Sequence, residues 1–260
     1  LSTQRRNQAS SVNKKPGGTK PRAKKQSSGN KSGRGGRDLK VRVKTAKGRK
    51  GSSTRWLQRQ LNDPYVAAAK RAGLRSRAAF KLEELDDKFK FLKPNMRIIE
   101  LGAAPGGWTQ VLVSRVGTEK PDSEAKIIAI DLTEMDSLPG AKVVLLDFMD
   151  DEAPEIIKKA LGGPADAVLS DMAPKITGHP KTDHLRVMGL VEAAYKFATE
   201  VLAPGGCFVS KVFQGGTEQT LLADMKRTFA KVHHAKPPSS RNVSAEMFVV
   251  AQNYRGGNTD

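Results

Sequence analysis

The chain has 260 residues, room for one large domain or two small ones, and a formal net charge of +18 from 45 Lys and Arg against 27 Asp and Glu. A single cysteine, Cys207, excludes a disulfide framework and a thiolate metal cluster, and no segment has the length and apolarity of a signal peptide or a membrane span. These features fit a reducing, cytoplasmic compartment.

The charge is unevenly divided. Residues 1–53 hold 17 Lys and Arg against one acid, Asp38, which leaves only +2 for the other 207 residues. The same stretch has no aromatic and is dense in Gly and Ser, so it cannot bury enough apolar surface to offset the entropy of ordering. A disordered basic arm over 1–53 and one folded domain over 54–260 are therefore expected. Such an arm attracts polyanions, nucleic acid being the commonest, while an anionic membrane would want an apolar anchor that is missing here.

Residues 54–97 are basic in a different way. Apolar positions at Trp56, Leu57, Leu61, Tyr65, Val66, Leu74, Phe80, Leu82, Leu85 and Phe89 fall at spacings a helix can use, so this region is expected to fold as helices against the domain. Ser76 is the candidate N-cap of a helix carrying the Phe80, Leu82 and Leu85 stripe. Lys70, Arg71, Arg75 and Arg77 form a basic edge, readable either as a solvated face or as a contact for substrate phosphates.

Arg97 to Trp108 then passes from an Ile-rich run into a loop of small residues, followed by helical spacing at Val111, Leu112 and Val116. This is strand, Gly-rich turn, helix, a turn that lets a cofactor approach the backbone and the helix N-terminus. The spacing G-x-x-x-G-G-W departs from the dinucleotide pattern G-x-G-x-x-G, and Trp108 offers a ring face, which favours S-adenosylmethionine over NAD.

Beyond it, patterns alternate. Lys126–Asp131, Lys142–Asp147 and Ala167–Asp171 read as strands ending in acids, with a short helix over Pro154–Leu161. Asp183–Leu202 reads as a helix stopped before Pro204-Gly205-Gly206, Cys207–Val212 as a strand, Thr217–Phe229 as a helix and Met247–Ala251 as a terminal strand. The alternation implies an α/β fold with a mostly parallel sheet and helices on both faces, whose ligands bind beyond the carboxyl ends of the strands. Gly102, Asp131, Asp147 and Asp171 all fall there. Asp131 is placed for ribose hydroxyls, Asp147 for an adenine amino group, and Asp171 near the reacting group.

Lys211 interrupts an apolar strand, where a lysine requires an acid nearby; Asp171, on the strand expected beside it, is the natural partner. Glu246 poses the same question at the start of the last strand, and Lys81 stands on a helix with one apolar side; for each taken alone a solvated face is the simpler reading. His179, His184, His233 and His234 show no metal-ligand spacing, and His233 and His234 adjoin a Lys236–Arg241 loop read as facing RNA.

Phe80-Lys81-Leu82, the Gly102–Trp108 loop, Ser170-Asp171-Met172-Ala173-Pro174, Ser210-Lys211-Val212-Phe213-Gln214-Gly215 and Ser244-Ala245-Glu246 together resemble, in order and context, the FtsJ-like (RrmJ/RlmE) ribosomal RNA 2′-O-methyltransferases. The resemblance covers roughly residues 55–252, and Asn62-Asp63-Pro64-Tyr65 with Ser76–Lys81 is similar to the bacterial large-subunit branch. It implies a doubly wound, seven-stranded Rossmann-like sheet and a catalytic tetrad of Lys81, Asp171, Lys211 and Glu246. It further implies cofactor contacts at Gly106, Trp108, Asp131, Asp147 and Asp171, with S-adenosylmethionine as cofactor. The implied reaction is methylation of a uridine 2′-hydroxyl in the A-loop of large-subunit (23S) ribosomal RNA, supporting large-subunit maturation.

Lys211 would serve as proton acceptor, or as the group that steers the hydroxyl toward the methyl. A monomer acting on the assembled 50S subunit, without metal or membrane, is expected. The arm is longer than the family's minimal form, Gly117–Ala125 reads as an inserted loop, and Glu100 stands where an aspartate is usual. The rival readings are a related enzyme acting on transfer RNA or mitochondrial ribosomal RNA, a non-catalytic RNA-binding assembly factor, and an NAD-dependent oxidoreductase.

Overall fold

A computed structural model describes residues 41, 43, 51–119, 126–174, 177–214 and 219–256, which belong to a unit spanning Leu39–Asp260. Most of the expected arm, residues 120–125 of the expected inserted loop, and Gly215 lie outside the described residues.

The sheet comprises β1 (Arg97–Leu101), β2 (Lys126–Asp131), β3 (Lys142–Leu145), β4 (Ala165–Ser170), β5 (Leu202–Phe213), β6 (Phe229–Ala235) and β7 (Glu246–Tyr254). Their spatial order is β3-β2-β1-β4-β5-β7-β6, with β7 antiparallel to both its neighbours and the other pairings parallel. The helices are α1 (Gly51–Leu61), α2 (Pro64–Arg71), α3 (Ala78–Phe89), α4 (Gly107–Val116), α5 (Ala153–Leu161), α6 (Pro180–Val201) and α7 (Gln219–Thr228).

Burial on both faces explains why the central strands read as continuous apolar runs rather than alternating ones. Ile98 and Leu169 point into a core shared with α3 and α4, whereas Ile99, Leu101 and Val168 point into a core shared with α5, α6 and α7. α3 is amphipathic in the required sense: Ala79, Leu82 and Leu85 are buried, and Arg77, Lys81 and Glu84 follow one another along a different, polar face at helical spacing.

Expected and observed elements differ at three places. The seventh strand is β6, whose mixed sequence Phe-Ala-Lys-Val-His-His-Ala carries little alternation, and Phe229, expected at a helix end, opens it. Pro204-Gly205-Gly206 does not separate helix from strand but lies inside β5 as an irregularity, where pairing shifts from Ala165↔Leu202 to Ala167↔Cys207. Ser76 does not cap α3: Arg77 occupies that position without a side-chain capping bond, while the buried Ser76 Oγ faces Gly107.

The order reverses beside β1, between outward-running β1-β2-β3 and β4-β5, which opens a crevice at the carboxyl ends of β1 and β4. Phe208 is fully buried at the centre of β5. Its truncation in Phe208→Ala is expected to lower the free energy of unfolding by about 3–5 kcal/mol, measured by urea denaturation.

Candidate active site

The turn after β1 is bound to the end of β2. Gly102 N and Ala103 N both donate to Ile130 O, at 2.9 and 3.0 Å, and Ala104 N donates to Asp131 Oδ2 at 2.9 Å. Gly102 adopts φ +76°, and a Cβ there would lie 2.5 Å from Met172 Cγ, so only glycine lets the β1 and β4 loops meet. At Gly106, φ is +100° and the place of a Cβ is taken by Arg75, whose Nη1 would be 2.8 Å away.

Beside this turn lies a cleft of about 750 Å³ lined by Gly102, Ala104, Asp131, Asp147, Asp171 and Met172, among others. Of the five residues expected to bind cofactor, Asp131, Asp147 and Asp171 line it. Gly106 and Trp108 do not. Trp108 is 2 % exposed, its Nε1 donates to Ala78 O at 2.8 Å, and its ring packs 5.7 Å from Phe248. The expected ring face is therefore spent on the α3–α4 core, and what Trp108 offers a ligand is its backbone at the first turn of α4. The glycine at 106 answers to Arg75 and to its left-handed backbone.

The cleft suits S-adenosylmethionine by its donor set. Asp131 is oriented by the amides of Ala104 and Thr133, and Asp147 by the amide of Met149, so carboxylates are fixed where hydroxyl and amino groups need acceptors. Leu132, Phe148 and Met149 add apolar walls for a flat ring, in a volume ordinary for small-molecule sites.

At the same strand ends the four expected catalytic residues meet, brought from α3, the β4 terminus, β5 and β7. Lys211 Nζ donates to Asp171 O at 2.6 Å and lies 2.8 Å from Asp171 Oδ1. Lys81 Nζ donates to Glu246 Oε2 at 2.7 Å, stands 3.8 Å from Asp171 Oδ2, and sits over the Phe248 ring at 5.7 Å. Asp171 is thus shared between two lysines. Burial would raise the Glu246 carboxyl, but Lys81, Lys211 and a hydrogen bond from Ser240 outweigh it and hold the group below the usual glutamate range.

The sequence flags the basic edge but not what its members hold. Half of the basic edge is structural: Arg75 donates to Pro105 O, Asp136 O and Ser137 O at 3.4, 2.8 and 2.8 Å, tying the glycine turn to the loop after β2. Arg77 donates to Asp63 Oδ2 at 2.6 Å and to Ser239 O. Lys70 and Arg71 stay exposed. His233 stacks on Phe89 at 5.4 Å, and among the described residues there is no cluster of three or more groups able to hold a metal.

Glu100 is buried in β1 and accepts from Thr109 Oγ1 at 2.7 Å. Burial, aided by the charges of Asp171 and Asp131, pushes its carboxyl up from 4.5 to about 8. Below the unfolded value both states carry the proton; as pH rises further the unfolded chain ionises first, so folding loses stability until the folded group ionises as well. Glu100→Gln, which keeps an acceptor for Thr109, is expected to gain on wild type progressively between pH 5 and 8, by a few kcal/mol at the upper end, in denaturation series at fixed pH.

The sequence matches the family described as FtsJ-like methyltransferase over residues 74–254. It is 63 % identical over 222 residues to the ribosomal RNA large subunit methyltransferase E of Paramagnetospirillum magneticum, covering 85 % of this chain and 91 % of that one. It is 62 % identical to the protein of the same name from Rhodospirillum rubrum, covering 85 % and 84 %. Among solved structures, a Plasmodium falciparum protein described as a ribosomal RNA methyltransferase superposes with a TM-score of 0.62 at 32 % identity, covering 70 % of this chain and all of that one.

Proposed function

Because the chain belongs to the FtsJ-like methyltransferase family, we propose that it methylates the 2′-hydroxyl of a uridine ribose in the A-loop of large-subunit (23S) ribosomal RNA, within the assembled 50S subunit. It is an S-adenosylmethionine-dependent methyltransferase, and its relatives are named for the large ribosomal subunit. The observation that carries the reading is the meeting of Lys81, Asp171, Lys211 and Glu246 beside an acid-lined cleft. The setting is proposed as the cytoplasm; among the described residues no helix is long and apolar enough to cross a membrane.

When bound, S-adenosylmethionine supplies a methyl group already activated by a positive sulfonium. What remains for the chain is to orient a poor nucleophile and take its proton. Asp131 and Asp147 would hold the cofactor's hydroxyl and amino groups, and Asp171 joins the cleft they line to the tetrad. Lys211 Nζ is held by Asp171 O at 2.6 Å and Asp171 Oδ1 at 2.8 Å, and the ribose hydroxyl would approach it from the cleft side. Lys211 steers the hydroxyl oxygen toward the methyl or, once its own ammonium proton has left to solvent, accepts the hydroxyl proton as the oxygen becomes methylated and releases it to solvent afterwards. Lys81 keeps Asp171 from being committed to Lys211 alone, and Glu246 holds Lys81. Positioning of this kind supplies up to roughly 7–11 kcal/mol of barrier reduction, and a placed proton acceptor about 10²- to 10⁴-fold.

Lys211→Ala is expected to lose at least about 10²-fold in methyl transfer to ribosomal RNA while keeping its cofactor affinity, and activity near wild type would remove Lys211 from the mechanism. The basic arm is proposed to add long-range attraction for RNA. Removing residues 1–38, with their eleven Lys and Arg, should leave cofactor affinity unchanged and weaken RNA binding. It should also flatten the slope of log K against log salt, by about 0.7–0.9 for every phosphate that the arm neutralises. An unaltered slope excludes that role.

A further inference from the structure

We infer that Ser240, in the loop between β6 and β7, is a positioning residue for methyl transfer, orienting the Glu246 carboxylate through an ionic clamp centred on Asp63. The inference rests on the tetrad's proposed role. Ser240 is 4 % exposed, and its Oγ donates to Glu246 Oε1 at 2.9 Å. Lys81 donates to the other oxygen, Oε2, at 2.7 Å. With one donor on each side, the carboxylate is fixed in rotation, and the position of Lys81 against Asp171 follows from it.

Ser240 can do this because its loop is fastened to α3 and to the start of α2. Ser239 N donates to Glu84 Oε2 at 2.7 Å, and Ser239 O accepts from Arg77. Arg77 reaches Asp63 Oδ2 at 2.6 Å, and Arg241 Nε reaches the same oxygen at 3.0 Å. Asp63 also caps α2 through Tyr65 N. Arg77, Lys81 and Glu84 are spaced i, i+4, i+7, so the face of α3 that presents the catalytic lysine also grips the loop on either side of it. At the far end of the loop, Lys236 Nζ donates to Ser244 O at 2.7 Å, and Ser244 Oγ accepts from Glu246 N at 3.2 Å. Ser240 has no hydrogen bond to Asp171 or Lys211 among those described, so it acts through Glu246.

The test uses the full chain with Ser240→Ala and Ser240→Thr. For Ser240→Ala, kcat on large-subunit RNA should fall about tenfold, as for loss of a hydrogen bond to a charged group, with KM for RNA and cofactor affinity within about twofold of wild type. Ser240→Thr, which keeps the hydroxyl, should recover most of the rate. Independently of any substrate, the ¹³C carboxyl resonance of Glu246 should titrate at higher pH in Ser240→Ala. The charged groups around it (Arg77 at the N-cap of α3, Lys81 within that helix, Lys211 from β5 and Asp171 after β4) are unchanged in that variant. An unchanged kcat, a failure of threonine to rescue, a parallel loss of cofactor affinity, or an unmoved Glu246 titration each overturns the inference. A wild-type chain inactive on ribosomal RNA counts against the substrate reading alone, since the carboxyl titration tests Ser240 without it.

Discussion

A lysine buried at the end of an apolar strand must find a carboxylate, because an uncompensated charge in such a place costs several kcal/mol. Lys211 meets that demand with Asp171, the first residue beyond β4. The pairing is possible because β4 and β5 are parallel neighbours in register, Ser170 opposite Ser210, so that residues 171 and 211 emerge together at the carboxyl edge. The same edge carries the cofactor cleft. One ion pair therefore joins the cleft that suits the methyl donor to the constellation proposed to act on the acceptor hydroxyl.

The glycine turn is held from outside as much as from within. Its inner side is bonded to the end of β2 through Ile130 and Asp131, and its outer side is braced by Arg75. Such a brace restricts the backbone that faces the cofactor without placing a side chain in the cleft. Trp108 contributes in the same indirect way, anchoring α4 to α3 and to Phe248 of β7. Lys81 lies over that same Phe248 ring, so the helix carrying the first lysine is registered against the strand that carries Glu246.

The polar network on the other side of α3 continues from Glu246 through Ser240 and the neighbouring Ser239 to Arg77, Asp63 and Arg241. This network connects the Lys236–Arg241 loop, expected to face RNA, with the acid that holds Lys81. The proposed substrate side and the proposed chemical centre are in this way parts of one hydrogen-bonded assembly.

The sequence by itself determined the alternation of strands and helices, the edge at which a ligand binds, and the pairing of Lys211 with Asp171. All three rest on local periodicity or on the rarity of a lone charge in an apolar run. Motif order also brought Lys81 and Glu246 into the same constellation. Only the tertiary structure decided that Trp108 faces the core, that Arg75 and Arg77 are fasteners and not free surface, and that β6 is the seventh strand. These depend on contacts such as Arg77 with Ser239, 162 residues apart, which leave no mark on local spacing. An exposed-looking arginine and a fastening one have the same neighbours in sequence; what separates them is the chain that folds back over them.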